Sequence, residues 1–252
     1  MKRDFLEVTD FSAAEIKATL TLAAEVKQQT RAGACPKPLS GKTIALIFHK
    51  ASLRTRISFE VGVDQLGGNT IYVTDSEIQL GKRESIYDVA KVMSRFVDGI
   101  FIRTFGHDDV RQLAEHATVP VINMLTDLTH PCQIFSDLFT IYEHKPEYEN
   151  LKISYFGDGN NITNSLLNLA TLVPMRLFIA THATTRPDEE ILKKAQASSL
   201  SEVVITDDPV EAARDADVLY ADVWASMGEK DQLDTKIKLL QKFQLNEELV
   251  AH

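Results

Sequence analysis

Eight short apolar runs constrain what this chain can become. TIALIF (43–48), NTIYV (69–73), GIFIR (99–103) and VPVIN (119–123) fall in the first half, and LKISYF (151–156), MRLFIA (175–180), EVVIT (202–206) and ADVLYA (216–221) in the second. Segments of helical period separate them, among them IYDVAKVMSRF, NSLLNLATL, DEEILKKAQA and PVEAARD. Strands this continuously apolar must be buried on both faces, which is the condition of a parallel sheet whose crossovers are helices. The pattern predicts an α/β protein with two doubly wound parallel-sheet domains and helices on both faces. Ser12 and Glu15 form a capping box ahead of Ile16, Leu20, Ala23 and Val26, so a helix opens the chain. HPCQIFSDLFTIYEHKPEYEN reads as a helix opening at Pro131 and then a polar link. The expected division is 1–130 for the first domain, 131–150 for the connecting helix and link, and 151–252 for the second domain.

In such sheets ligands bind beyond the carboxyl ends of the strands, where loops enter helix N-termini. Five polar clusters sit at those places and are expected to converge on one rim: Ser52–Arg56, Arg103 with Thr104, His130 with Gln133, Gly157–Asn161 and Asp222–Gly228. Unpaired backbone N–H groups and the positive end of the dipole make the start of a helix an anion site, and guanidiniums match phosphate oxygens in pairs. SLRTR, entering the helix of ISFEVGVDQL, therefore reads as a phosphate cradle. The plain alternative is that Ser52 is an N-cap and Arg54 and Arg56 are solvated. Arg103 could equally be a rim charge and His130 a capping histidine. GDGNN begins like a dinucleotide fingerprint, but Ile162 stands where the third glycine belongs and no acidic residue closes the next strand. Its asparagines suit either a zwitterionic ligand or a local turn. Asp222 in DVWASMG could hold a cationic amine or cap a helix.

The formal charge of −9 argues against a nucleic-acid partner and makes the basic cluster after TIALIF a local exception, better suited to a small anion. No run approaches the length of a membrane span, and the N-terminus MKRDFLEVTDFSAAE has no apolar leader core, so a soluble cytoplasmic protein is expected. Cys35 and Cys132 support neither a disulfide framework nor a zinc site.

Taken together, FHK followed by SLRTRISFE, then IQLGKRESIYDVAKVMSRFVDGIFIRT, HPCQ, GDGNN and DVWASMG, resemble the aspartate/ornithine carbamoyltransferase family in order and spacing over essentially the whole chain. The Asp-x-Trp-x-Ser-Met-Gly motif resembles the ornithine-using branch. That resemblance implies a carbamoyl-phosphate domain followed by an amino-acid domain, domain closure on the substrates, a homotrimer or a multiple of trimers, and no metal or cofactor. It implies Ser52, Leu53, Arg54 and Thr55 as phosphate ligands, Arg103 bridging phosphate and carbamoyl oxygen, His130 donating to that oxygen and Gln133 orienting the carbamoyl amide. Gln79 and Lys82 match a loop that reaches a neighbouring subunit's site. Asn161, Asp222, Ser226 and Met227 match contacts to ornithine. The implied reaction is attack of a neutral δ-amine on the carbonyl carbon of carbamoyl phosphate, giving citrulline and phosphate in arginine metabolism.

Two departures stand out. Leu53 replaces the family's usual threonine, which leaves a backbone N–H in place of a hydroxyl contact. The family also continues past the equivalent of ELVAH into a strand, a His-Cys-Leu-Pro loop and a final helix, so a shortened member is expected, with its own activity in question. Related amines such as putrescine or acetylornithine, and a catalytically impaired carbamoyl-phosphate binder, remain as alternatives at this stage.

Overall fold

The computed structural model describes residues 2–224 and 233–251. The chain divides into two compact units, Met1–Phe139 and Thr140–His252, each built on one four-stranded, all-parallel sheet.

In the first unit β1 (Thr43–Phe48), β2 (Asn69–Thr74), β3 (Gly99–Arg103) and β4 (Val121–Leu125) lie in the order β2-β1-β3-β4. Helices α1 (Ala13–Arg31), α2 (Leu53–Gln65), the single turn α3 (Asp75–Ile78), α4 (Ile86–Phe96), α5 (His107–His116) and the start of α6 (Pro131–His144) accompany them. Alternation along β1 shows why both faces are covered. Ala45 and Ile47 point into one core with Ile100, Ile102, Val89, Val110 and Leu113, while Ile44, Leu46 and Phe48 point into another with Val63 and Met124. The predicted capping box at Ser12 and Glu15 closes the start of α1.

In the second unit β5 (Lys152–Phe156), β6 (Arg176–Ala180), β7 (Glu202–Thr206) and β8 (Val218–Ala221) run β7-β6-β5-β8, with α7 (Asn161–Ala170), α8 (Glu189–Ala197), α9 (Pro209–Ala213), α10 (Leu233–Leu240) and α11 (Glu247–Val250). Phe156, Phe178 and Ala180 pack with Ala212, Ala213, Leu240, Phe243 and Leu249 on one side of this sheet. Every residue of α7 is buried.

Several boundaries move from their predicted places for identifiable reasons. The fourth strand, predicted over VPVIN (119–123), lies two residues later, at Val121–Leu125. Pro120 has no N–H to give a ladder, and its carbonyl accepts from the Ile100 N–H at 2.9 Å before pairing proper begins. β4 is also not an open edge, because the Phe5 N–H donates to the Val121 carbonyl at 2.9 Å and the Asn123 N–H to the Phe5 carbonyl at 2.8 Å. The helix expected from Ile57 starts at Leu53, which puts Arg54 and Thr55 in its first turn. The helix expected from Asn164 starts at Asn161, because the Asn160 side chain accepts from the Ile162 N–H and caps it.

Candidate active site

Each sheet reverses its strand order once, between β1 and β3 in the first unit and between β5 and β8 in the second. A reversal leaves a crevice at the carboxyl ends of the two strands, because the helices that follow them cross to opposite faces. The first three polar clusters lie in the first unit, at the ends of β1, β3 and β4 and in the helices that follow β1 and β4. Gly157–Asn161 and the described part of the last cluster, Asp222–Trp224, follow the strands framing the second crevice.

At the first crevice Ser52 caps α2. Its Oγ accepts from the Thr55 N–H at 3.4 Å and donates to Thr55 Oγ1 at 3.0 Å. Arg103 ends β3 and is only 4% exposed. Its Nε donates to the Lys50 carbonyl at 3.1 Å and its Nη1 to Thr55 Oγ1 at 3.4 Å, so neutral oxygens hold the cation. Burial, then the neighbouring Arg54 charge, pulls the Arg103 guanidinium down to about 10, which leaves it protonated at neutral pH. Neither Arg54 nor Arg103 makes an ion pair among the described residues. Two guanidiniums beside one helix N-terminus, with no carboxylate bound to them among the described residues, give that crevice a concentration of positive charge.

His130 immediately precedes α6, where its carbonyl accepts from the N–H groups of Gln133 and Ile134 at 3.2 and 3.3 Å. Burial, then the Arg103 charge, pushes its imidazole down to about 3, so it is neutral across the physiological range. Gln133 Nε2 donates to Asp137 Oδ1 at 2.9 Å, which fixes the amide along the helix. Arg56, half of the predicted guanidinium pair, belongs elsewhere: its Nε bonds Glu60 at 2.9 Å and its guanidinium stacks 3.8 Å from the Tyr72 ring centre. Leu53 lies 74% exposed. Gln79, in the left-handed region at φ 47°, and Lys82 stand on an exposed turn, and neither bonds to the cradle among the described residues.

Sequence reasoning missed one group here. Lys50, 8% exposed, pairs with Asp127 at 3.0 Å and lies 5.3 Å from the Phe105 ring centre, so a buried ammonium ties together the loops after β1, β3 and β4. The lysine was visible in FHK, but its partner lies in another loop.

At the second crevice Gly157 (φ 136°) makes the sharp exit from β5, and Trp224 lies against it: a β-carbon there would sit 3.4 Å from the indole Cδ1. Gly159 is required by close approach, since a β-carbon would lie 2.2 Å from the Thr185 carbonyl oxygen. Asn160 Nδ2 donates to Asp222 Oδ2 at 3.3 Å, joining the turn after β5 to the end of β8. Asn161, the predicted ligand, is 8% exposed in the first turn of α7. Asp158, 7% exposed, pairs with Lys236 of α10 at 2.7 Å, a contact absent from the sequence reading. Ser226 and Met227 lie outside the described residues. Among the described residues no cluster of histidine, cysteine, aspartate or glutamate could hold a metal ion, and no helix is long and apolar enough to cross a membrane.

Residues 3–143 match the carbamoyl-phosphate binding domain of aspartate/ornithine carbamoyltransferases, and residues 149–252 match the aspartate/ornithine binding domain. The chain belongs to the aspartate/ornithine carbamoyltransferase family. Among curated members, the ornithine carbamoyltransferase of Syntrophus aciditrophicus (strain SB) is 47% identical over 251 residues, which cover 100% of this chain and 83% of that protein. Solved members share the architecture. The ornithine carbamoyltransferase from Pyrococcus furiosus superposes with a TM-score of 0.93 at 42% identity, covering 99% of this chain and 81% of that one. The anabolic ornithine carbamoyltransferase from Campylobacter jejuni gives 0.93 at 34% identity, covering 100% and 82%. The two domain models of the family divide the chain close to where its two compact units meet, within α6.

Proposed function

We propose that this chain transfers the carbamoyl group of carbamoyl phosphate to the δ-amine of L-ornithine, giving L-citrulline and phosphate. The observation that carries the reading is the buried Arg103 cation, held by a backbone carbonyl and a hydroxyl beside Arg54 at the start of α2, with no ion pair among the described residues. A phosphoanhydride-like dianion suits that charge and those donors.

In the proposed reaction Ser52, Thr55, Arg54 and the N–H of Leu53 bind the phosphate, and Gln79 and Lys82 contribute from a neighbouring copy. The neutral amine nitrogen forms a bond to the carbonyl carbon, charge gathers on the carbonyl oxygen, and the bond to the phosphate oxygen then breaks as the amine loses a proton. Arg103 and neutral His130 donate to the developing oxyanion, a contribution worth roughly 3–4 kcal/mol per donor in comparable sites. Gln133 orients the carbamoyl amide. Asp222 receives the α-ammonium, with Asn161, Ser226 and Met227 completing the ornithine contacts, so that the δ-nitrogen is the one presented. The residues divide as 1–130 for carbamoyl phosphate and 151–252 for ornithine, joined by 131–150.

The proposal includes assembly as a homotrimer, cytoplasmic residence and a place in arginine biosynthesis. Leu53, Ile57 and Val61 recur at helical spacing on α2 and are 74%, 50% and 47% exposed, an apolar stripe that a second copy of the chain would cover. The deciding experiment is citrulline formation by the purified chain from carbamoyl phosphate and ornithine, with putrescine and acetylornithine in parallel. Turnover with ornithine is expected; turnover with another amine alone would overturn the assignment of substrate.

A further inference from the structure

The second crevice contains two carboxylates, and only one of them is answered by a cation among the described residues. Asp158 Oδ2 meets Lys236 Nζ at 2.7 Å, with side-chain exposures of 9% and 11%. Asp222 accepts from Asn160 Nδ2 at 3.3 Å and makes no ion pair among the described residues. The two acids are close neighbours through Tyr155. Its hydroxyl donates to the Asp158 carbonyl at 3.0 Å, and after burial the charges of Asp222 and Asp158 are what raise this phenol's pKa. The residue that neutralises Asp158 comes from α10, far along the chain, and it is itself buried.

A pair desolvated to this degree contributes little net stability, since taking two charges out of water nearly offsets their attraction. Its effect on the local potential is larger. With Lys236 present the Asp158 carboxylate is paired, and Asp222 makes no ion pair among the described residues. Without it the crevice would be more negative by one charge. The distinction matters for the amines that could enter. An α-amino acid brings a head that is an ammonium and a carboxylate together, with no net charge, whereas a diamine brings an ammonium alone.

We propose that Lys236 determines amine specificity by cancelling the charge of Asp158, so that the crevice favours a zwitterionic amino-acid head over the cationic head of a diamine. The inference rests on the proposed amine site at Asp222, and Lys236 acts on the substrate through the field of the crevice with no bond to it. It is a specificity residue, set apart from the catalytic ones.

The test is the ranking of ornithine against putrescine, read both as the ratio of kcat/KM values and as the ratio of dissociation constants in calorimetry. Removing the ammonium while keeping the apolar stem, in Lys236→Met, is expected to move the ranking toward putrescine by on the order of tenfold, the effect of one unscreened charge at crevice distances. Asp158→Asn removes the carboxylate and keeps the ammonium, and is expected to move it the opposite way. The double variant Lys236→Met with Asp158→Asn, which removes both charges, should return to the wild-type ranking, as should Lys236→Arg. A pair that only braces α10 would weaken both amines alike and leave their ratio fixed in every variant, and that result would overturn the inference. If Lys236→Met fails to fold, Asp158→Asn still decides, since the inference expects a shift away from putrescine and a merely structural pair expects none. Wild-type turnover tests the proposed reaction, while the calorimetric ratios need no turnover, so the two can fail separately.

Discussion

The two crevices use one topological device and handle charge in opposite ways. In the first, the buried cation is held by neutral oxygens: Arg103 donates to the Lys50 carbonyl and the Thr55 hydroxyl and makes no ion pair among the described residues. In the second, the more deeply buried charge is paired with Lys236, and Asp222, with no ion pair among the described residues, is held by an amide. Neutral partners fix a charged side chain without consuming its charge. An ion pair fixes two and consumes both. The helices that leave the crevices differ as well. α7 is buried along its entire length, whereas α2 buries only Val63.

The largest effect should come from the first crevice. Arg103→Met removes the buried cation while keeping most of the side chain's bulk, and kcat/KM for carbamoyl phosphate should fall by roughly a thousandfold, as on loss of an oxyanion donor. A loss under tenfold in steady-state assays would break the comparison at its first term. Asp222→Asn should raise the KM for ornithine by about 10- to 100-fold, the range for loss of a charged hydrogen bond, with carbamoyl phosphate affinity unchanged. Equal weakening of both ligands would make Asp222 structural.

Glycine substitutions sharpen the contrast between the exit helices. Gly159→Ala places a β-carbon 2.2 Å from the Thr185 carbonyl oxygen, which is backbone and cannot step aside, so a loss of about 1–3 kcal/mol or more is expected in denaturant titration. Gly62→Ala, mid-helix in α2 with nothing within 4 Å of the new β-carbon, should instead stabilise by about 0.5–1 kcal/mol.

A different kind of effect is a pH dependence of the first unit. Glu7 accepts from His107 and Arg111 at 3.0 and 2.7 Å, and the bond with His107 is the main cause that holds its carboxyl down to about 2. A carboxyl depressed on folding contributes stability that is present above its unfolded value near 4.5 and lost as pH falls toward 2. Acid titration of Glu7→Gln should therefore show a flatter loss through that window than the wild type, with the two curves separated most at neutral pH.

The sheet architecture was legible because strands buried on both faces carry their signal within five or six consecutive residues. Candidate site positions were legible where polar residues sit beside a strand end, as at Ser52–Thr55, Arg103 and Asp222. They were illegible where a residue acts through a partner distant in sequence. Lys236 is one of several lysines in KDQLDTKIKLLQK, and nothing local separates it from a solvated charge; only the approach of α10 to Asp158 does. The N-terminal segment escaped for the same reason. Phe5 pairs with β4 and packs edge-on against Phe11 and Phe135, ring centres 5.0 and 5.2 Å away, yet no periodicity announces one bridging residue. Arg56 was misread because its spacing from Arg54 suggests a pair, whereas successive even positions of a helix point to different sides.

The strand reversals that create the crevices also determine when they form. Ile44 pairs with Gly99 across more than twice the sequence interval that separates it from Thr70 on its other side, and Ile153 pairs with Val218 across more than twice the interval to Leu177. Closing a longer loop costs more chain entropy, so the nearer partners join first and the strands that frame each crevice meet late. A half-folded chain would then already hold most of its helices and strand pairs while lacking both ligand sites, and the capacity to bind either substrate would mark the final stage of folding in its unit.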